Sequence, residues 1–259
     1  MLNIRTDLLN KKRLFIPFFS YLPLYSYIGS LLTPIPAPIT RSLMEGLKNE
    51  VICQNDTIRQ YLPFEPLSYK EAIIRAMNRE EQDRIHTRWS DAYPPAHELA
   101  LKLIELKGGP RYTNTYTLYT KKGASSLYRC ICTIGGNEGW FSNNWVWRLR
   151  GVVDKILLGV GTARGRKSRT HLRINDVIDY WRVEDLQKDA RLLLRAEMKL
   201  PGKAWLEFKI DDEGSERRLS IIAHYQPQGF FGRVYWYAFL PWHQFLFNDL
   251  IEQIEKRAD

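Results

Sequence analysis

Cysteine is scarce in this chain: Cys53, Cys130 and Cys132 are the only three among 259 residues. An odd, small number without paired spacing excludes a disulfide framework and fits a reducing compartment. Cys130-Ile131-Cys132 reads as part of a strand with both thiols on one face. No further ligand types stand near them, so they are packing groups rather than a metal site. The five histidines, His86, His97, His171, His224 and His243, have no zinc-site spacing. No metal is expected. A phosphate-cradling glycine loop is also missing. Gly159-Val160-Gly161-Thr162-Ala163-Arg164-Gly165 follows a predicted helix rather than a strand, and Arg164 replaces the third glycine of a dinucleotide fingerprint. It fails as a P-loop too, because Arg166 follows Gly165 and the spacing from Gly161 is one residue short.

Charge is absent from residues 14–40, which follow Lys11-Lys12-Arg13. A membrane span needs about 20 mostly apolar residues in an unbroken run. Pro17, Pro23, Pro34, Pro36 and Pro38, with Ser20, Ser26, Ser30 and Thr33, interrupt this one. It therefore reads as buried helical and loop pieces. A cytoplasmic location is expected, with attachment at the inner membrane face as the alternative.

What is present supports a substantial core. Hydrophobic residues make up 44% of the chain, and seven of eight tryptophans lie between Trp140 and Trp242. The net charge of +9 permits acidic partners, but no nucleic-acid motif accompanies it. The organising stretch is 191–210. Leu192, Leu194, Ala196, Met198 and Leu200 alternate with Leu193, Arg195, Glu197 and Lys199; Ala204, Leu206, Phe208 and Ile210 alternate with Trp205, Glu207 and Lys209. A period of two with one apolar face predicts strands, and Pro201-Gly202 supplies the turn of a hairpin.

Around that hairpin, the pattern predicts helices over 39–47 and 69–79, the latter opened by a Ser68–Glu71 capping box. A short strand is expected at Val51–Cys53, a helix at 95–107, and strands at 112–120 and 127–134. An amphipathic helix over 142–158 is expected to bury Trp145, Leu149, Val152, Val153, Ile156 and Leu157. Strands follow at 176–184, 190–200, 204–210 and 217–225. A long aromatic helix over 231–257, kinked at Pro241, closes the chain.

Two resemblances emerge from these residues. Leu32-Thr33-Pro34-Ile35-Pro36-Ala37-Pro38, Met44–Val51 and Pro66–Ala72 resemble the substrate-side lobe of an NmrA-like atypical short-chain dehydrogenase, and Arg88–Ala92 resembles the exit from it. The resemblance implies residues 1–92 as a remnant of that lobe. The chain has no Tyr-x-x-x-Lys pair and no nucleotide-binding loop, so NAD(P) is implied only if a partner chain supplies the missing half. Gly139-Trp140-Phe141, Trp147–Gly151, Asp179–Glu184, Glu197–Glu207 and Tyr235-Trp236-Tyr237 resemble an uncharacterised domain found behind such dehydrogenases. The element order resembles the helix-grip fold of the START/Bet v 1-like/SRPBCC superfamily. The fold class expected over residues 93–259 is therefore α+β, with an antiparallel sheet wrapped on a long C-terminal helix.

A helix-grip sheet encloses a cavity. The resemblance implies a hydrophobic ligand, lipid-, aromatic- or polyketide-like, in a pocket formed by Asp179, Trp181, Leu194, Met198, Phe208, Ile221, Tyr225, Tyr235, Phe239 and Trp242. Alternation turns His224 away from that pocket. His243 reaches either the pocket mouth or solvent. Glu197 and Glu207 are expected in a cross-strand charge network with Arg195, Lys199, Lys203 or Lys209. Arg164, Arg166, Lys167 and Arg169 form a basic loop, either solvated or an anion site. No catalytic residue stands out, so enzymatic activity is left open: a truncated oxidoreductase or epimerase subunit, needing a separate nucleotide-binding chain, is one alternative and a membrane-associated protein another. The partners expected are a hydrophobic small molecule and either a dehydrogenase-like protein or a second copy.

Overall fold

The protein's computed structural model describes residues 22–33, 35, 37–46, 49, 57–81, 101–136, 138–162, 164–166 and 171–259. The chain forms two compact units: residues 1–30 with 37–88, and residues 31–36 with 89–259. Among the described residues, helices α1 (Leu22–Leu32), α2 (Ala37–Gly46), α3 (Ile58–Tyr61) and α4 (Tyr69–Glu81) come first. The capping box forms as expected. The Ser68 amide donates to Glu71 Oε2 at 2.9 Å and the Glu71 amide to Ser68 Oγ at 3.3 Å. No helix among the described residues is long and apolar enough to cross a membrane. Expectations at Val51–Cys53 and over 95–100 lie outside the described residues. Residues 103–105 form a single 3-10 turn rather than the end of a helix.

The second unit is one antiparallel sheet and its helices. Strands β1 (Tyr112–Thr120), β2 (Val177–Ile178), β3 (Trp181–Gln187), β4 (Arg191–Ala196), β5 (Gly202–Glu213) and β6 (Glu216–Pro227) lie in the order β1-β6-β5-β4-β3-β2. Helices α5 (Ala124–Ile131) and α6 (Asn144–Ile156) intervene between β1 and β2, and α7 (Gly229–Arg257) follows β6. This is the helix-grip arrangement. The hairpin at its centre pairs Leu192 with Phe208 and Leu194 with Leu206, as the alternation requires. β5 continues into β6 with Leu206 opposite Ala223 and Phe208 opposite Ile221.

Helix α7 runs along the apolar face. Near its start, Trp236 stacks between Tyr112 and Tyr225, with centroids 5.4 and 5.6 Å away. Further on, Phe247 meets Tyr116 at 5.4 Å. Near its end, Glu255 accepts from Thr120 at 3.1 Å. Burial along the helix is uneven. Its second half buries Leu246, Phe247, Leu250, Ile251 and Ile254; its first half buries only Gly232 and Trp236. Each large apolar side chain contributes about 1.5–3 kcal/mol when buried, so the second half holds the helix to the sheet and the first half leaves space beneath it.

Three expectations are corrected. Residues 124–131 are helix, not strand. Gly123 precedes α5, and Leu127, Cys130 and Ile131 are buried at the three-and-four spacing of a helix face. Cys130 and Cys132 are buried free thiols at the end of that helix. Second, α6 turns the opposite way. It buries Trp147, Gly151 and Asp154, while Trp145, Leu149, Val152, Val153, Ile156 and Leu157 are exposed. The reason is polar: Asp154, fully buried, accepts from the Gly161 amide at 2.8 Å and the Lys199 amide at 2.6 Å. Satisfying three segments with one carboxylate fixes the inward face. Third, Glu197 and Glu207 do sit in charge networks, and Arg195 stands 3.7 Å from Glu197 as expected, but their nearest partners are other residues. Glu197 joins Arg182 at 2.5 Å and Arg164 at 2.7 Å; Glu207 joins Arg191 at 2.6 Å and His224 at 2.8 Å. Both are buried.

Candidate ligand-binding cavity

Beneath the first half of α7 lies a cavity of about 140 Å³. Its floor is sheet: Leu206, Ala223 and Tyr225 contribute to it, with Ala204 beside them. Small residues occur where the helix bears least on the sheet, so backbone spacing and side-chain volume leave the same gap. The β4–β5 loop supplies Met198 and Leu200; α6 supplies Val146, Trp147 and Arg150. Phe239 and Trp242 of α7 close the outer side while remaining 39% and 52% exposed, and they form the mouth.

The walls near that loop are held firmly. Tyr225 Oη donates to Pro201 O at 2.9 Å, and the Gln228 amide donates to the same oxygen at 2.9 Å. Gly232 packs so close that an added Cβ would stand 2.3 Å from Pro201 O. Arg150 Nη2 donates to Lys199 O at 2.7 Å. The β4–β5 loop is therefore clamped by β6, α6 and α7 together.

Of the residues expected in the pocket, Trp181, Met198, Tyr225, Tyr235, Phe239 and Trp242 line the cavity. Leu194, Phe208 and Ile221 share the sheet face but lie in the fully buried core. Asp179 is elsewhere. It occupies the two-residue turn between β2 and β3 with φ of 54°, a left-handed position that aspartate tolerates. Its carboxylate accepts from Trp140 Nε1 at 3.0 Å and the Gly136 amide at 3.3 Å. Burial pushes its pKa up, while those two hydrogen bonds and the Arg166 and Arg164 charges pull it back. Asp179 thus ties the 135–140 loop to the sheet. Asp179→Gly keeps the turn but strands two buried donors, which costs about 1–3 kcal/mol; Asp179→Ala adds roughly 1 kcal/mol of left-handed strain. Urea unfolding is expected to rank wild type above Gly and Gly above Ala.

Two arginines of the basic loop make contacts within the fold. Arg164 donates to Asp179 O at 3.1 Å and to Glu197, and Arg166 donates to Ile134 O at 2.8 Å. Lys167 and Arg169 lie outside the described residues. His224 faces away from the apolar floor, between Thr113 Oγ1 at 3.3 Å and Glu207. Among the described residues no group of acidic, cysteine and histidine side chains has a metal-site arrangement.

Residue reasoning missed Tyr180, which is fully buried on the cavity wall, and left His243 undecided. His243 lines the cavity, its ring 5.5 Å from Trp236 and 5.4 Å from Phe247. Burial pulls its pKa down to about 4, so the imidazole is neutral at pH 7. The alternation over an unbroken strand at 176–184 turned Tyr180 away from Trp181; the turn at Asp179-Tyr180 breaks that strand.

Fold and site together define a helix-grip domain with an internal, largely apolar cavity. Over residues 106–250 the chain belongs to the family described as "Protein of unknown function (DUF2867)". No curated protein matches it. Among solved structures it is similar to the Aha1 dimer from Colwellia psychrerythraea, at 12% identity, covering 56% of this chain and 96% of that one, with a TM-score of 0.33. It is also similar to CalU16 from Micromonospora echinospora, at 8% identity, 56% and 85% coverage and a TM-score of 0.28. A third is PFC0360w, an HSP90 activator from Plasmodium falciparum, at 6% identity, 44% and 74% coverage and a TM-score of 0.28. Scores this low carry nothing about activity or ligand. The dehydrogenase likeness rests on residues 32–92 alone, outside the family match.

Proposed function

We propose that the second unit binds a small hydrophobic molecule in the cavity beneath α7. The observation that carries this reading is the cavity itself: a space of about 140 Å³ with an apolar wall and an exposed aromatic mouth. Ligand sites are concave, mostly apolar and furnished with few polar groups. Packed interiors leave few voids larger than a water molecule, so a gap of this size under a helix held firmly at its other end is a feature of the fold. An engineered apolar cavity of about 150 Å³ takes up benzene, which sets the scale of the occupant at one or two rings.

The test is native mass spectrometry of the purified chain with a panel of ring compounds, repeated with Ala223→Leu. Ala223 lines the cavity floor, and a larger side chain fills the space at little cost in stability. Binding at one per chain in wild type, lost by roughly tenfold or more in the filled variant, supports the reading. Uptake unchanged by the filling overturns it.

A further inference from the structure

The first half of α7 is exposed on aromatic rings. Phe230, Phe231, Tyr237, Phe239, Trp242 and Phe245 all reach the surface. Single exposed apolar side chains are ordinary, but this density on one helix marks a contact surface. The stretch Gly229–Asn248 carries one charged side chain, Arg233, and it is exposed; the first acid of the helix is Asp249. Helix α6 shares the cavity with α7 through Val146, Trp147 and Arg150. Its outer residues Trp145, Leu149 and Val152 are exposed too, with Arg148 among them, while its one acid, Asp154, is fully buried.

Exposed rings with arginine and no acid fit an apolar surface bordered by negative charge. Tryptophan and tyrosine favour the boundary between lipid tails and water, where one end of the ring is dry and the other wet. A second copy fits less well, because a two-fold contact sets two basic faces against one another with no acid on either. The helix does not span a bilayer: no helix among the described residues is long and apolar enough, and the second half of α7 is buried against the sheet. A helix of this kind lies along the interface. We propose that the second unit docks on an anionic lipid bilayer through the first half of α7, with its exposed rings at the headgroup level and Arg233 against the lipid phosphates. This docking stands apart from ligand binding and needs no occupant in the cavity.

The experiment is vesicle flotation of the full chain, with phosphatidylcholine vesicles and with vesicles in which about one lipid in three is phosphatidylglycerol. Binding to the anionic vesicles is expected to be about tenfold stronger or more. Phe230 and Phe231 are 70% and 78% exposed, and neither lines the cavity. Phe230→Ser with Phe231→Ser is therefore expected to keep the wild-type melting temperature while lowering anionic-vesicle binding about tenfold or more. Arg233→Gln is the second variant, expected to lower binding to anionic vesicles about fivefold and to leave neutral vesicles within about twofold. Flotation unchanged in the double serine variant places lipid binding on another segment and overturns the proposal. Absence of flotation with anionic vesicles overturns it as well. Self-association in sedimentation velocity that the double serine variant abolishes, without flotation, assigns the face to a second copy instead.

Discussion

Replacing Glu197 with alanine is expected to cost the second unit about 3–5 kcal/mol. Glu197 is buried and is the shared counter-ion of Arg182 and Arg164, with Arg195 at 3.7 Å. Burial alone would raise its pKa; the hydrogen bond from Arg182 and the charges of Arg164 and Arg182 outweigh that and hold it below the ordinary carboxylate range. Removing the carboxylate leaves buried guanidinium groups facing one another. An intact buried pair adds little net stability, because desolvation offsets attraction, but breaking one is expensive. The cost also spreads. Arg164 belongs to the loop after α6, Arg182 to β3 and Glu197 to the segment just after β4, so the substitution unfastens three segments. Tryptophan fluorescence during urea unfolding reads the effect directly, since seven of the eight tryptophans lie in residues 140–242. A loss below about 1 kcal/mol, the range of an exposed pair, would contradict the burial assigned to this cluster.

Acid is expected to weaken the fold through His243 before the carboxylates respond. Its pKa is lowered to about 4 by burial alone, among Trp236, Phe247 and the other cavity walls. In the unfolded chain it titrates near 6.5. As pH falls through 6.5 the unfolded state takes up the proton and the folded state does not, so stability drops until about pH 4. Each pKa unit corresponds to about 1.4 kcal/mol, which makes the full loss about 3 kcal/mol. The carboxylates held below their ordinary range, Glu197 and Glu207 among them, lose their contribution only as pH falls further. Asp179, whose pKa burial raises, works in the opposite sense in the lower part of the interval from pH 6.5 to about 4.5, so the histidine is read from the difference between wild type and a His243 variant. His243→Phe keeps an aromatic ring on the wall and is expected to flatten the stability profile across that interval. A profile unchanged by the substitution would place the titration elsewhere.

How much of this was legible in the sequence depended on what decided each element. The hairpin over 191–210 and the strands after it follow apolar alternation, and the backbone register agrees residue by residue, Leu192 with Phe208 and Leu194 with Leu206. The long final helix was also readable, because aromatic and aliphatic residues recur along it. Its inward face was not. Trp236 and Phe247 are buried where Trp242 and Phe239 were expected to pack. A helix aromatic all round offers no stripe to choose from, and the choice falls to which residues meet Tyr112, Tyr116 and Tyr225. The same limit reversed α6. Its apolar residues suggested an inward side, but Asp154 and Gly151 decide the packing. Gly151 admits Thr162, whose Cγ2 would lie 2.5 Å from an added Cβ. The strand expected at 127–134 was lost because Tyr128, Cys130, Cys132 and Ile134 alternate over a short run, while Leu127, Cys130 and Ile131 set the helical spacing that prevails. Six of ten expected pocket residues line the cavity because they share one sheet face and one helix. Tyr180 escaped because a single strand over 176–184 put it on the face opposite Asp179 and Trp181, whereas the structure breaks that strand at Asp179-Tyr180.

A ring-sized molecule in the space beneath the first half of α7 would lie against Met198. Met198 lines that space, and it is one of only four methionines in the chain. Methionine methyl groups give sharp, well-separated signals when labelled with carbon-13, and a ring bound against Met198 would shift its methyl strongly. Titrating indane into the labelled protein is predicted to move the Met198 signal saturably, with Met44 and Met77 of the first unit unmoved. Loss of that shift in Ala223→Leu would place the ring in the cavity. A Met198 methyl that stays in place at saturating concentrations of benzene and of indane would contradict ring binding in the cavity.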